Sequence, residues 1–180
     1  MNKMKNKKYY TGVGSRETPL NILNYMIEIS KKLEKQGYII RSGGANGADM
    51  AFEKEISKEN KEIYLPWKGF NENKSNLFLQ KFNINIQNEA KNKAIETMGI
   101  EHWNNLSDAA KKLHTRNVFQ VLGEDLKTKS NFLICWTKKG TIKGGTATAI
   151  RLALKNKIKV FNLGTIKGKE NLEKYIYENN

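Results

Sequence analysis

Ser42-Gly43-Gly44-Ala45-Asn46-Gly47-Ala48-Asp49 follows the apolar run Tyr38-Ile39-Ile40 and opens an amphipathic run carrying Ala48, Ala51, Phe52 and Ile56. Three glycines and two alanines strip side-chain bulk from a strand-to-helix junction. Such a junction lets a ligand approach the backbone and presents unpaired helix N–H groups to an anion. The stretch reads as part of a nucleotide or phosphate pocket. Ser42, Gly43, Gly44, Ala45 and Gly47 are expected to offer backbone donors, and Asp49 to accept from a ribose hydroxyl. The alternative for Asp49 is a first-turn carboxylate favoured by the helix dipole.

The same grammar recurs on either side. Upstream, Tyr9-Tyr10-Thr11 with Val13 predicts a first strand running into Gly12-Val13-Gly14-Ser15-Arg16. Thr18 and Pro19 then predict a helix cap and first helical residue, with the helix continuing to about Gln36 before Gly37. Downstream, the small-residue helix is expected from Ala48 to about Lys58, and a third strand at Glu62-Ile63-Tyr64-Leu65, closed by Pro66-Trp67. Strand and helix in alternation predict a parallel sheet covered by helices. Ligands of such sheets bind beyond the carboxyl ends of the strands, where the glycine loops fall.

Residues 68–88 show no period and are expected to form an irregular excursion near the strand ends, a candidate lid. From about Glu89 to Gly123 the pattern is helical, with breaks at Gly99 and Leu106-Ser107. Phe132 to Trp136 predicts a fully buried fourth strand. A third glycine loop, Thr137 to Thr146, leads into a helix with Ala147, Ile150, Leu152, Ala153 and Leu154. A fifth strand at Ile158 to Leu163 and a terminal helix from about Lys169 to Tyr177 complete a single domain over residues 1–180, with 1–8 a basic tail.

The 180 residues carry a formal net charge of +14, from 28 Lys and 4 Arg beside 22 Asn. Phosphate-backbone recognition with specificity leans on Arg forks, so this lysine excess predicts only weak, non-specific nucleic-acid binding. The single cysteine, Cys135, lies in an apolar run and reads as a buried small hydrophobe in a reducing, cytoplasmic setting. No run approaches the roughly 20 apolar residues of a membrane span, and the N-terminus lacks the apolar core of a secretory signal. No His, Cys, Asp and Glu spacing suggests a metal site, and no cofactor is expected.

The chain resembles the Rossmann-like superfamily that includes the DNA-processing protein A family and the "Lonely Guy" phosphoribohydrolases. The resemblance rests on Gly14-Ser15-Arg16 with Pro19 beyond it, on Ser42 to Asp49, and on Gly144-Gly145-Thr146 opening a helix before Val160-Phe161-Asn162-Leu163. Arg116 to Gly123 and Cys135-Trp136-Thr137 are similar to segments of the short stand-alone members encoded by bacteriophages. The resemblance implies an α/β, Rossmann-like parallel sheet of about five or more strands with helices on both faces. It also implies a nucleotide-type ligand and a homodimer or larger homo-oligomer. The phosphoribohydrolases carry a catalytic Glu after their third loop; here that position is Ala149, which has no titratable group.

The candidate ligand-binding residues are thus Gly12, Gly14, Ser15 and Arg16 of the first loop, the second-loop residues above, and Gly144, Gly145 and Thr146 as a phosphate cradle. Trp136 is a candidate for stacking on a base, and Thr137 adjoins it. Arg116 is added by the resemblance. His114, two residues away, is expected to point to another side and to lie at a surface or interface; Trp67 and Trp103 are weaker candidates, and His102 stands alone. The leading expectation is a binding protein without catalytic residues that holds a nucleotide-derived signal, a cyclic nucleotide or an ADP-ribose type, for a phage in the host cytoplasm. The alternatives are a nucleotide N-glycosidase using Asp49, Glu53 or Glu124, and a single-stranded DNA-binding mediator of recombination.

Overall fold

The structure, a computed structural model, describes residues 6–178. Six strands form one sheet: β1 (Lys8–Gly14), β2 (Tyr38–Ser42), β3 (Lys61–Leu65), β4 (Leu77–Phe78), β5 (Phe132–Trp136) and β6 (Lys159–Asn162). Their spatial order is β4-β3-β2-β1-β5-β6, and every neighbouring pair is parallel. The chain therefore builds outward from β1 in one direction and then restarts at β5 on its other side. That reversal between β1 and β5 is the topological switch point of a Rossmann-like α/β fold, and it opens a crevice at the strands' carboxyl ends.

The central strands β1 and β5 are buried on both faces, as parallel strands under crossover helices must be. Along β5, Phe132, Ile134 and Trp136 face one core while Leu133 and Cys135 face the other. The first core is closed by α1 (Leu20–Lys35), α2 (Ala48–Glu53) and α7 (Ile166–Glu178), through Met26, Leu33, Phe52, Leu172 and Ile176. The second is closed by α3 (Ile84–Met98), α4 (Ile100–Asn104), α5 (Asp108–Leu122) and α6 (Thr146–Lys155), through Ala90, Trp103, Phe119 and Ile150. Cys135 is fully buried, and burial pushes its thiol up to about 12. Among the described residues no helix is long and apolar enough to cross a membrane.

Several local expectations need correction. Lys8 belongs to β1 rather than to a tail, and residues 1–5 of that tail lie outside the described residues. Thr18 does not cap α1, because its hydroxyl turns back to the Ser15 carbonyl (2.6 Å) and Pro19 takes the cap position. Helix α2 stops at Glu53, not near Lys58. Ser57 instead donates its amide and hydroxyl to Glu34 (2.9 and 2.7 Å), which draws the chain out of the helix.

Residues 68–88 contain β4, pairing with β3 through Leu77 and Phe78, and the first turn of α3. A two-residue strand has no periodicity to read. Asn83 caps α3 by accepting the Asn85 amide, five residues or so before the helix was expected. The breaks at Gly99 and Ser107 fall as expected; Gly99 has φ 91°, and Ser107 accepts the Ala110 amide.

Candidate ligand-binding site

At the switch point a crevice of about 560 Å³ opens between the three glycine loops and α5. The loop after β1 contributes Gly14, Ser15 and Arg16. The loop after β2 contributes Ala45 and Asp49, and the loop after β5 contributes Thr137, Gly144, Gly145 and Thr146. Arg116 closes the fourth side from α5. Two strands' worth of separation in sequence is thus folded onto one rim. Residues 68–88 contribute nothing to this crevice. Asn71 instead reaches over the back of the second loop to the Gly44 carbonyl (3.0 Å), so the expected lid is a buttress.

Gly12, Ser42, Gly43, Gly44, Gly47 and Trp136 do not line the crevice. The glycines among them are bare for the protein's own packing. A Cβ on Gly12 would stand 2.6 Å from the Phe52 ring, and one on Gly43 would collide with the Arg116 guanidinium. The Trp136 indole packs into the core beneath α1, α2 and α7. At Gly47, φ is +86°, and a Cβ would lie 2.8 Å from both the Arg16 Cα and the Ser15 oxygen. Gly47 is where the first two loops touch. Gly47→Ala is therefore expected to cost about 2 kcal/mol, read as a lower urea midpoint; a loss under about 0.5 kcal/mol would show that the loops can part freely.

The amides of the second loop are also spoken for. Gly44 N–H donates to Glu53 Oε1 (2.8 Å) and Ala45 N–H to Asp49 Oδ2 (3.4 Å). Asp49 accepts from the Gly43 and Gly14 amides as well. The negative charge held at this turn is the protein's own, and any bound anion must compete with it. Burial pushes the Asp49 carboxyl up to about 6, against the pull of the Arg116 guanidinium and of those amides. Burial, then the neighbouring Asp49, pushes Glu53 up to about 7. Asp49 lines the crevice and Glu53 lies behind it. The two carboxylates lie one helical turn apart, Asp49 at the crevice wall and Glu53 beneath it.

Arg116 is pinned from three directions. One Nη1 donates to the carbonyls of Gly43 and Tyr64 (the latter 3.0 Å), and Nε donates to Asn117 Oδ1 (3.1 Å). The guanidinium ties the ends of β2 and β3 to α5. His114 is buried rather than at a surface, with Nδ1 2.9 Å from Thr148 Oγ1. Burial, then the nearby His102 and Arg116, holds its pKa down. Although two apart on α5, His114 and Arg116 both line the crevice.

The third loop is built differently. Asn162 at the end of β6 accepts the Thr137 amide (3.1 Å) and donates to its hydroxyl (2.6 Å), fixing where the loop leaves β5. The loop ends at α6, a helix of ten residues with no side-chain cap and no acidic residue in its first turn. Its partly positive N-terminus faces the crevice without a carboxylate of its own. Arg16, Lys138 and Lys143 stand around it, and all three are exposed. Gly144 has φ +71°, which accounts for that glycine. Gly145 has an ordinary helical φ of −62°, and a Cβ there would meet nothing within 4 Å. Neither torsion nor packing requires it to be bare.

No protein-family description matches the chain, and no curated protein does. One solved structure resembles it. That structure is DNA processing protein A from Helicobacter pylori, described for its single-stranded DNA binding mode, at a TM-score of 0.48 and 16% identity. The match covers 94% of this chain and 74% of that one. At that distance the likeness bears on neither ligand nor activity.

Among the crevice residues that the sequence did not single out as site candidates are Asn117, Gln120, Lys138, Lys143 and the carboxylate Glu17. A signal for the first two was present. His114, Asn117 and Gln120 are spaced by three along a segment whose neighbours Val118, Phe119, Val121 and Leu122 are core. A polar stripe on an otherwise apolar helix faces something polar. Among the described residues no cluster of three or more His, Cys, Asp or Glu could hold a metal ion.

Proposed function

We propose that the crevice holds a nucleotide-derived small molecule, with a phosphate at the N-terminus of α6 and a ribose hydroxyl at Asp49. The observation that carries this reading is Gly145, a crevice residue left bare with no internal cause. An uncapped helix end ringed by Arg16, Lys138 and Lys143 suits a phosphate. A volume near 560 Å³ lies in the range of small-molecule pockets.

Ala149 lines the crevice and has no proton to exchange, which favours holding the ligand over cleaving it. A module of this kind suits sequestration of a nucleotide signal in the cytoplasm, by a homo-oligomer encoded by a phage. That setting follows from the likeness of Arg116 to Gly123 and Cys135-Trp136-Thr137 to the short phage-encoded members. The second reading, hydrolysis at the N-glycosidic bond, is favoured by one observation: Asp49 reaches the crevice with its carboxyl near neutrality.

The test is mass spectrometry of small molecules released from the purified protein, followed by calorimetric titration of those found. An intact nucleotide supports holding. Free base with ribose phosphate supports hydrolysis, and Asp49→Ala should then abolish it. A retarded single-stranded DNA band that persists at physiological salt would instead favour the DNA-binding alternative. Gly145→Ala is expected to leave stability within about 1 kcal/mol while weakening nucleotide binding at least about tenfold. Unchanged affinity in that variant would remove α6 from the site.

A further inference from the structure

Gln120 sits one turn beyond Asn117 on the crevice face of α5. The two amides contrast. Asn117 is fully engaged, donating to the Gly145 carbonyl (2.9 Å) and accepting from Arg116. Gln120 is 1% exposed, and neither Nε2 nor Oε1 has a hydrogen-bond partner. Its backbone carbonyl is held by the Thr11 hydroxyl (2.7 Å), which fixes the helix at this point. A buried amide with both ends unpaired is destabilising, and native interiors rarely keep one without a use.

Building on the nucleotide reading above, we propose that Gln120 reads the base of the bound nucleotide and that the base is adenine. A carboxamide presents an acceptor and a donor side by side. Both amide atoms are closed to solvent, with Nε2 beside Gly43, so reading requires the side chain to rotate into the crevice. There Oε1 accepts from the exocyclic amino group of adenine while Nε2 donates to the adjacent imidazole nitrogen, the pairing that suits Asn and Gln to that edge. Distance supports it. Asn117 touches Gly145 at the start of α6, and three residues along a helix advance about 4.5 Å. Gln120 is therefore within the span of one nucleotide from a phosphate seated at Gly145. Hypoxanthine offers an oxygen where adenine offers the amino group, so it meets Oε1 with a second acceptor.

The experiment is calorimetric titration of the full chain with ADP, ADP-ribose and their inosine counterparts. Adenine ligands are expected to bind about 10- to 100-fold more tightly. Gln120→Leu is expected to bring adenine ligands down to the inosine level and leave the inosine ligands unaffected. The same variant should melt no lower than the parent, since it removes two unpaired polar atoms from the interior; a clearly lower melting temperature would show that Gln120 is satisfied inside the protein and overturn the proposal. Equal binding of adenine and inosine ligands, still sensitive to Gly145→Ala, would overturn base reading and spare the phosphate site. Binding of neither would overturn both.

Discussion

Replacing Arg116 with methionine is expected to lower the unfolding free energy by about 3–5 kcal/mol at about pH 7.5. Methionine keeps most of the length and apolar contact of the arginine stem, so the change isolates the guanidinium. Two losses follow. The carbonyls of Gly43 and Tyr64, at the ends of β2 and β3, lose their shared donor. Asp49 and Glu53 lose the cation that faces them from α5. Buried carboxylates deprived of a counter-charge take up protons instead, so the deficit should shrink at about pH 5. Urea unfolding of both proteins at the two pH values measures this. A deficit below about 1 kcal/mol at the higher pH, or one that does not narrow on acidification, would mean that solvent rather than Arg116 satisfies these groups.

The parent protein should itself lose stability as pH rises through the same pair. Asp49 lies at about 6 in the folded chain against an ordinary 3.8, and Glu53 at about 7 against 4.5. Between those limits the folded state binds more protons than the unfolded one. The contribution is complete below about pH 4 and is lost as pH climbs through the folded values to about 7. For Asp49 alone the rise converts to roughly 3 kcal/mol.

Asp125 works in the opposite sense. Burial is the largest single influence and raises its pKa, but the Thr128 and Lys127 amides and the Thr128 hydroxyl together outweigh it and bring the carboxyl to about 2, so its contribution is present above its ordinary 3.8 and fades towards pH 2. Together these groups place the optimum at about pH 4. Asp49→Asn keeps an acceptor for the Gly14, Gly43 and Ala45 amides but cannot ionise. It should flatten the slope and gain up to about 3 kcal/mol at about pH 8. A parent whose urea midpoint is level or rising between about pH 5 and 8 would refute the buried pair.

Much of the fold was legible because its signals are local. The run Phe132 to Trp136 is apolar on both faces, which only a central strand under two helix layers requires, and the structure buries all five residues. Gly99 and Ser107 mark helix ends by chemistry confined to a few neighbouring atoms. By contrast β4 exists only because β3 offers an edge, and α2 is cut short by a contact with Glu34 on another helix. Such features have no trace in their own segments.

The glycine loops divide in the same way. That three side-chain-poor corners follow parallel strands and gather at the strands' carboxyl ends could be read from the residues, since chain polarity in a parallel sheet puts every such corner on one rim. The residues could not say what each corner is bare for. Packing in three dimensions shows that Gly43 is bare for Arg116, Gly47 for the first loop, and Gly145 for nothing within the protein. The reason is that a missing Cβ records only that space is needed, while the occupant of that space is set by atoms as far as 73 residues away.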